Sequence, residues 1–392
     1  MIRRIIIALL LLALGERAWK LAAVIRFFRR PAPQPSGERP SVSIVQPILS
    51  GDPTLEASLE ASLSFRSSYP REWLWLVDED DKEAQRVCAA LIARHPIADV
   101  RVLLVPPPAP MVNPKTAKLV VGARAAKGAI ICVLDDDTRL PDDGLEQCLP
   151  FLERPEVGLA FGLPYYVSFD GLWSALVACF VNSHSLLTYV PVAMSGEPVT
   201  INGMFYAVRR EALARVGSFA GLEPIVADDF AVAQRFRDHS YRLAQTPLRH
   251  GISTSTAGPA QYARLIQRWL VFPRESLMRH LRPRELARFY GLALLPLFAP
   301  WLALAATAAP GLPRALGLTY LAASNAAVAY LNRAYLGGAT PARWAWLVPV
   351  VQLALPAQAI AALLAPQRIV WRGHLIAVEP GGTIRTIRRR DG

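Results

Sequence analysis

Short apolar runs alternate with amphipathic stretches over the first part of the chain. VSIVQPI (42–48), WLWLVD (73–78), VRVLLV (100–105) and AIICVL (129–134) read as buried strands. Between them, PTLEASLEASLSF, KEAQRVCAALIARH and NPKTAKLVVGARAA repeat apolar residues at helical spacing. Asp80 and Asp81 stand near the start of the second, and Asn113 and Pro114 take the N-cap and first helical positions of the third. The alternation, continued to about residue 240, predicts a mostly parallel α/β sheet with helices on both faces. Ligands of such sheets bind beyond the carboxyl ends of the strands, where VDEDD and LDDD fall.

The pattern changes at both ends. The first thirty residues have apolar stretches at 5–14 and 21–28, broken by Glu16, Arg17 and Lys20, and show no A-x-A cleavage site. Residues 1–30 are therefore expected to stay as a membrane anchor, followed by a stiff Pro-rich linker at 31–41. The α/β unit then occupies 42–271, a basic amphipathic helix at the lipid interface 272–286, membrane segments 287–366, and a basic cytoplasmic tail 367–392. The apolar stretches 287–310, 312–331 and 344–366 each reach the roughly 20 residues a bilayer requires, and the absence of acidic residues from them argues against an ion pathway. One N-terminal and three C-terminal crossings would put RTIRRR on the far side from the α/β unit, although basic tails favour the inside. One segment is thus expected not to cross, and 287–310, with Pro296 and Pro300, is the foremost candidate.

Composition narrows the partners. The net charge is +12, and only five of the 43 basic residues are lysines. Basic residues crowd at RFFRRP, FPRESLMRHLRPRELAR and TIRTIRRR, each beside an apolar segment, which fits acidic lipid; no nucleic-acid motif accompanies them. Cys88, Cys132, Cys148 and Cys179 lack CxxC spacing and read as buried apolar residues rather than a zinc or disulfide framework. Nothing in the sequence signals an oligomeric state.

The chemistry lies in the carboxylates. GAIICVL runs into Asp135, Asp136 and Asp137, whose mutual repulsion calls for a cation. In an extended strand end Asp135 and Asp137 share a face and Asp136 points away. Two hard oxygen donors so placed suit Mg²⁺ or Mn²⁺ carrying a substrate diphosphate. The bland alternative is an acidic turn in which Asp142 and Asp143 cap the next helix. Asp78, at the tip of an earlier strand, is placed to meet a base or ribose or else to cap the helix at 82. Asp228 and Asp229 precede an amphipathic helix, whose N-terminus would hold Asp229 ionised as a base, or they cap that helix. Arg268 and Trp269 set a cation beside a ring, or belong to an interfacial basic helix.

In order, VDEDD, NPKTAKL, LDDDTRLPDD, GLPYY, NSH, NGMFYAVRR, VADDF, QRW and WRGHLIAVEPGGTIR resemble the motifs of membrane-bound family 2 glycosyltransferases of the ceramide glucosyltransferase type, family 21, over roughly residues 42–285 and part of the tail. The resemblance implies a GT-A-type, Rossmann-like nucleotide-sugar-binding domain with N-terminal and C-terminal transmembrane helices. It implies an inverting hexosyl transfer from a UDP-sugar to the primary hydroxyl of a membrane lipid, ceramide foremost and a hopanoid, diacylglycerol or polyprenyl phosphate otherwise, with the catalytic domain on the cytoplasmic face; the Arg-over-Lys bias and the high Ala and Pro content point to a bacterial inner membrane. Asp78, Lys115, Asp135, Asp137, Arg268 and Trp269 then match nucleotide-sugar positions, Asp135 and Asp137 the metal pair, and Asp229 the catalytic base. His184 of NSH, Asp228 and Gly203 match positions near the acceptor; His184 reads nearly as well as a core or surface histidine. Two departures stand out. The third motif reads Asp-Asp where Glu-Asp is commoner, and Leu265, flanked by Arg264 and Gln267, occupies the first position of the (Q/R)xxRW signature. A catalytically inactive membrane scaffold of this fold is the reading from another class.

Overall fold

In a computed structural model, residues 1–35, 37–338, 340–371 and 374–388 are described. Arg372 and Gly373 of the WRGH run, and Arg389 and Arg390 of the tail, lie outside them. The four expected strands are present as β1 (Val42–Ile48), β2 (Arg71–Asp78), β3 (Val100–Val105) and β4 (Ile130–Leu134). The three helices between them are α2 (Leu55–Ser64), α3 (Lys82–Arg94) and α4 (Pro114–Ala125), after an N-terminal helix α1 (Ile2–Arg29). β2 is parallel to both β1 and β3, and β4 is parallel to β1. Along β2, Trp73, Trp75 and Val77 pack into one buried cluster while Leu74 and Leu76 pack into another on the opposite face. The unbroken apolar spelling of WLWLVD follows from this burial on both sides.

The sheet continues through strands the hydrophobic pattern did not single out: β5 (Thr138–Arg139), β6 (Val157–Tyr166), β7 (Phe205–Arg209) and β8 (Arg242–Ile252). The strand order is β3-β2-β1-β4-β7-β6-β8-β5. β7 runs antiparallel to β4 and β6, so the sheet is mixed. Short helices α5 (Gly144–Cys148) and α7 (Arg210–Arg215) follow β5 and β7, and α8 (Asp228–Asp238) precedes β8. The chain moves outward from β1 to β3 and then returns to place β4 on β1's other side. The crevice beyond the carboxyl ends of β1 and β4 is thus the topological switch point, where open α/β sheets bind ligands.

Between β6 and β7 runs α6 (Leu172–Ser195), long and apolar enough to cross a membrane by length and composition, as are Pro283–Ala306 and Ala342–Leu364. Both strands flanking α6 lie in one sheet, so α6 returns the chain to the side it left, and it is well buried. α1, interrupted by Glu16, Arg17 and Lys20, is not in this set of apolar helices. α9 (Pro259–Phe272) passes through a π turn at 273–277 into the short α10 (Met278–His280). Then come α11 (Pro283–Ala306), α12 (Leu312–Tyr335) and α13 (Leu347–Leu364), and α1 packs against α6, α11 and α12. Pro296 removes the N–H that would bond Leu292 O in α11, and Lys20 Nζ donates to that carbonyl at 3.0 Å.

The segment read as a tail contains a three-stranded antiparallel sheet, β9 (Arg368–Trp371), β10 (His374–Val378) and β11 (Ile384–Arg388). Ile369, Ile376, Val378 and Ile384 form one apolar cluster with Val226. Val226 N donates to Gly382 O at 2.8 Å and Ile384 N to Pro224 O at 2.7 Å, so the last strands grip the loop that leads into α8.

Candidate active site

The aspartate run sits in a turn rather than in extended strand: Thr138 N donates to Asp135 O at 3.1 Å, closing it just past β4. The division of labour expected from alternation nevertheless appears. Asp136 is buried and accepts from Leu49 N at 2.8 Å, tying the turn to the end of β1. Asp135 and Asp137 are partly open. Backbone bonds fix the frame, with Asp135 N donating to Met204 O and Ser253 N to Asp137 O. Gln46, buried in β1 and bonded to Trp75 Nε1, donates to Asp135 O at 3.2 Å.

Asn113 caps α4 as expected, its Oδ1 accepting from Lys115 N and Thr116 N, while its Nδ2 donates to Ile225 O at 2.9 Å. One residue therefore orients α4 and holds the loop before α8. Lys115 and Lys118, three apart, leave the same face of α4. Lys115 Nζ lies 2.7 Å from Asp135 Oδ1, 3.4 Å from Asp228 Oδ2, and donates to Gly203 O at 2.9 Å. Burial works to lower the Lys115 pKa, but the charges of Asp135 and Asp228 outweigh it and hold it above the ordinary lysine value. Lys118 Nζ meets Asp78 Oδ2 at 2.9 Å and Ile48 O at 2.7 Å. Asp78 Oδ1 is buried with no hydrogen-bond partner among the described residues, an acceptor suited to a ligand donor. Asp78 does not cap α3; Asp81 does, accepting from Ala84 N. Asp142 and Asp143 make no side-chain cap on α5 either, and Asp142 instead accepts from Arg66 N.

Asp228 and Asp229 are the first two residues of α8, with Ala227 at the cap position. Burial first, and then the charge of Asp228, raise the Asp229 pKa from 3.8 to about 7, against the hydrogen bond from Phe230 N and the charge of Lys115. The helix N-terminus, expected to keep this carboxylate ionised, loses to desolvation. A Cβ placed on Gly203 would stand 3.1 Å from Asp229 Cβ and 3.4 Å from Lys115 Nζ, so the NGM turn presses directly on the pair.

Trp269 packs edge-on against Tyr166 at 5.9 Å and stacks with Phe180 at 6.0 Å, whose ring meets His184 at 5.1 Å. Tyr166 lies within reach of the charges of Asp137 and Arg268, which brings the α9 cation to the aspartate side. Leu265 joins the apolar cluster of Tyr166, Ile252 and Trp269, and Gln267 Nε2 donates to Pro366 O and Arg368 O ahead of the tail sheet. His184 also lines an apolar cavity between α6, α11 and α13. The pattern did not single out Lys118, Tyr166 or Tyr206, although all stand inside the quoted motifs. Tyr206 OH is buried beside Asp228 and Asp135 with no partner among the described residues.

The donor set suits a divalent ion in part. Carboxylates of Asp135 and Asp137 are hard oxygen ligands. Among the described residues no three His, Cys, Asp or Glu side chains gather tightly enough to hold an ion alone, so water and substrate phosphate would complete the shell, as Mg²⁺ and Mn²⁺ sites at diphosphates allow.

Three comparisons bear on this arrangement. The model of a family described as glycosyl transferase family 21 matches residues 5–384. Ceramide glucosyltransferase 1 of Caenorhabditis elegans is 23% identical over 382 residues, covering 93% of this chain and 77% of the relative. The mannosyltransferase of Pyrobaculum calidifontis, solved with GDP-Man and Mn²⁺, superposes with a TM-score of 0.53 at 21% identity, over 93% of this chain and 99% of that one, and shares the fold.

Proposed function

The chain belongs to glycosyl transferase family 21 and is a hexosyltransferase; from that premise we propose that it moves a hexose from a UDP-sugar to the primary hydroxyl of a membrane lipid, ceramide foremost, with inversion at the anomeric carbon. The observation that carries this reading is the buried Asp229 carboxyl, poised near neutrality beside Asp228, Lys115 and Asp135 at the sheet's switch point. A primary hydroxyl is a poor nucleophile until a base of suitable pKa takes its proton. Asp229 accepts that proton as the lipid oxygen attacks the face of the sugar opposite the leaving diphosphate, turning an α-linked donor into a β-glycoside. Arg268 stabilises the charge growing on the diphosphate. Asp78 takes a hydrogen bond from the nucleoside, and Lys118, 2.9 Å from its other oxygen, holds the carboxylate in place. A divalent ion, Mg²⁺ or Mn²⁺, held by Asp135 and Asp137 would supply further charge neutralisation to the leaving group. The relative's name supports the lipid acceptor, and the solved neighbour's GDP-Man and Mn²⁺ support the nucleotide-sugar donor and the ion.

Lipid access follows from the apolar helices, and the docked tail constrains how they lie. The hydrogen bond between Val226 N and Gly382 O supports an even number of crossings between them; Pro283–Ala306 and Ala342–Leu364 are long and apolar enough to cross, and α12, expected to cross at 312–331, is not in that set. The catalytic domain and tail then share the cytoplasmic face. Purified protein incubated with UDP-sugars, Mg²⁺ or Mn²⁺, and ceramide or diacylglycerol should release UDP and form a β-glycolipid identifiable by mass spectrometry. Full turnover by both Asp137→Ala and Asp229→Asn would refute the assigned roles.

A further inference from the structure

A cavity of about 440 Å³ lies among α1, α6, α11 and α13, within the roughly 300–1,000 Å³ span of small-ligand pockets. Its walls are overwhelmingly apolar: Leu187 and Val192 of α6, Leu297 of α11 and Leu355 of α13 are representative. Leu294 and Leu363 also line it and remain 48% and 60% exposed, so it opens sideways onto the surface where lipid would lie. Two cations nonetheless stand in this wall, Arg17 and Lys20. Lys20 is satisfied, with Glu16 at 2.6 Å and the Leu292 carbonyl at 3.0 Å. Arg17 is not. It is only 9% exposed, meets no carboxylate among the described residues, and makes one long contact, 3.5 Å to Tyr320 OH. Its Nε is buried without a hydrogen-bond partner. A guanidinium buried without a counter-ion is costly, and one that lines a cavity can bind phosphate or carboxylate through paired hydrogen bonds.

We propose that this cavity binds one membrane lipid with an anionic phosphate-ester head, the head on Arg17 and an acyl chain between α6, α11 and α13. The cavity borders the carboxylate cluster without including it: among the described residues no aspartate lines it, and Phe289 in its wall packs against the cluster of Ala227 and Phe230, which flank Asp228 and Asp229. An anionic lipid there neutralises Arg17 and braces α1 against the C-terminal helices, whichever lipid accepts the sugar.

Native mass spectrometry of the full chain, released from nanodiscs of equal phosphatidylglycerol and phosphatidylcholine, tests this without donor or turnover. The parent should retain one phosphatidylglycerol at about tenfold preference, a difference of about 1.4 kcal/mol. Arg17→Gln should lose the preference, Arg17→Lys should keep part of it, and Ala359→Phe, which fills the cavity with Arg17 intact, should lose the retained lipid. Equal retention of both lipids by the parent, retention of neither, or an unchanged preference in Arg17→Gln overturns the proposal. If Arg17→Gln does not fold, the parent's preference and Ala359→Phe decide. UDP release measured in parallel separates this outcome from the fate of the transferase reading.

Discussion

The carboxylate cluster at the sheet's switch point and the basic wall of the helical cavity are opposite imbalances of buried charge. In the first, Asp135, Asp137, Asp228 and Asp229 gather with Lys115 and Arg268, and carboxylates outnumber cations. In the second, Glu16 answers Lys20 and leaves Arg17 over. Asp78 and Lys118, by contrast, meet as a pair at 2.9 Å at the end of β2. Charges that meet in pairs offset one another, whereas a buried excess of one sign is tolerated where a ligand of the other sign completes it. On the readings proposed above, the first excess meets a cation with its diphosphate and the second meets an anion.

The largest effect expected along this contrast comes from the acidic side. Asp229→Asn should lower kcat by about 10²–10⁴-fold, the usual span for a general base, while UDP affinity measured by titration changes little. Retained turnover would remove Asp229 from the chemistry. Next comes the paired case: Lys118→Met strands the Asp78 charge and should cost about 3–5 kcal/mol of unfolding free energy in a denaturant titration. A near-neutral result would mean that Asp78 finds another partner.

The acidic excess also predicts a pH dependence. With Asp229 as the proposed base, acting unprotonated and with its pKa raised to about 7, kcat/KM should rise about tenfold per pH unit below that value and level off above it. Asp229→Asn should erase this limb. The sign for stability is opposite. A carboxyl raised from 3.8 keeps its proton in the native state where the unfolded chain has lost it, so its contribution is full below about 4 and is lost as pH climbs through about 7.

Two smaller changes sharpen the contrast. Gly203→Ala inserts a methyl group 3.1 Å from Asp229 Cβ and should lower kcat about tenfold, with an overpacking cost of about 1–3 kcal/mol seen as a lower melting temperature. On the basic side, Arg17→Met removes an uncompensated buried charge and should raise stability by about 1–2 kcal/mol in neutral detergent, a gain that vanishes when anionic lipid is added. A loss of stability in both conditions would show that Arg17 is satisfied within the protein.

The first half of the sheet was legible because β1, β2 and β4 are buried along almost their whole length and spelled as continuous apolar runs, with Asn113 and Pro114 announcing α4. β3, at the sheet's edge, is spelled alike although it is mostly half-buried and its Leu104 is exposed. The second half was not. β6 and β8 mix Gly, Pro and polar residues, among them the buried Gln245 and His250, so neither alternation nor an apolar run marks them. α6 is apolar enough to pass for a membrane span, and only its return to the same sheet shows otherwise.

The sequence by itself determined the order of the acidic motifs, the character of each apolar segment and the cap that starts α4, because these depend on neighbours within a few residues. Tertiary structure alone decided which carboxylates meet. Asp135 and Asp228 converge on Lys115 through strand order and the α4 cap, Asp229 is raised by burial that no local pattern encodes, and β11 grips the loop before α8 across more than 150 residues of chain. Desolvation and long-range charge are properties of what surrounds a side chain, and only the folded chain supplies those surroundings.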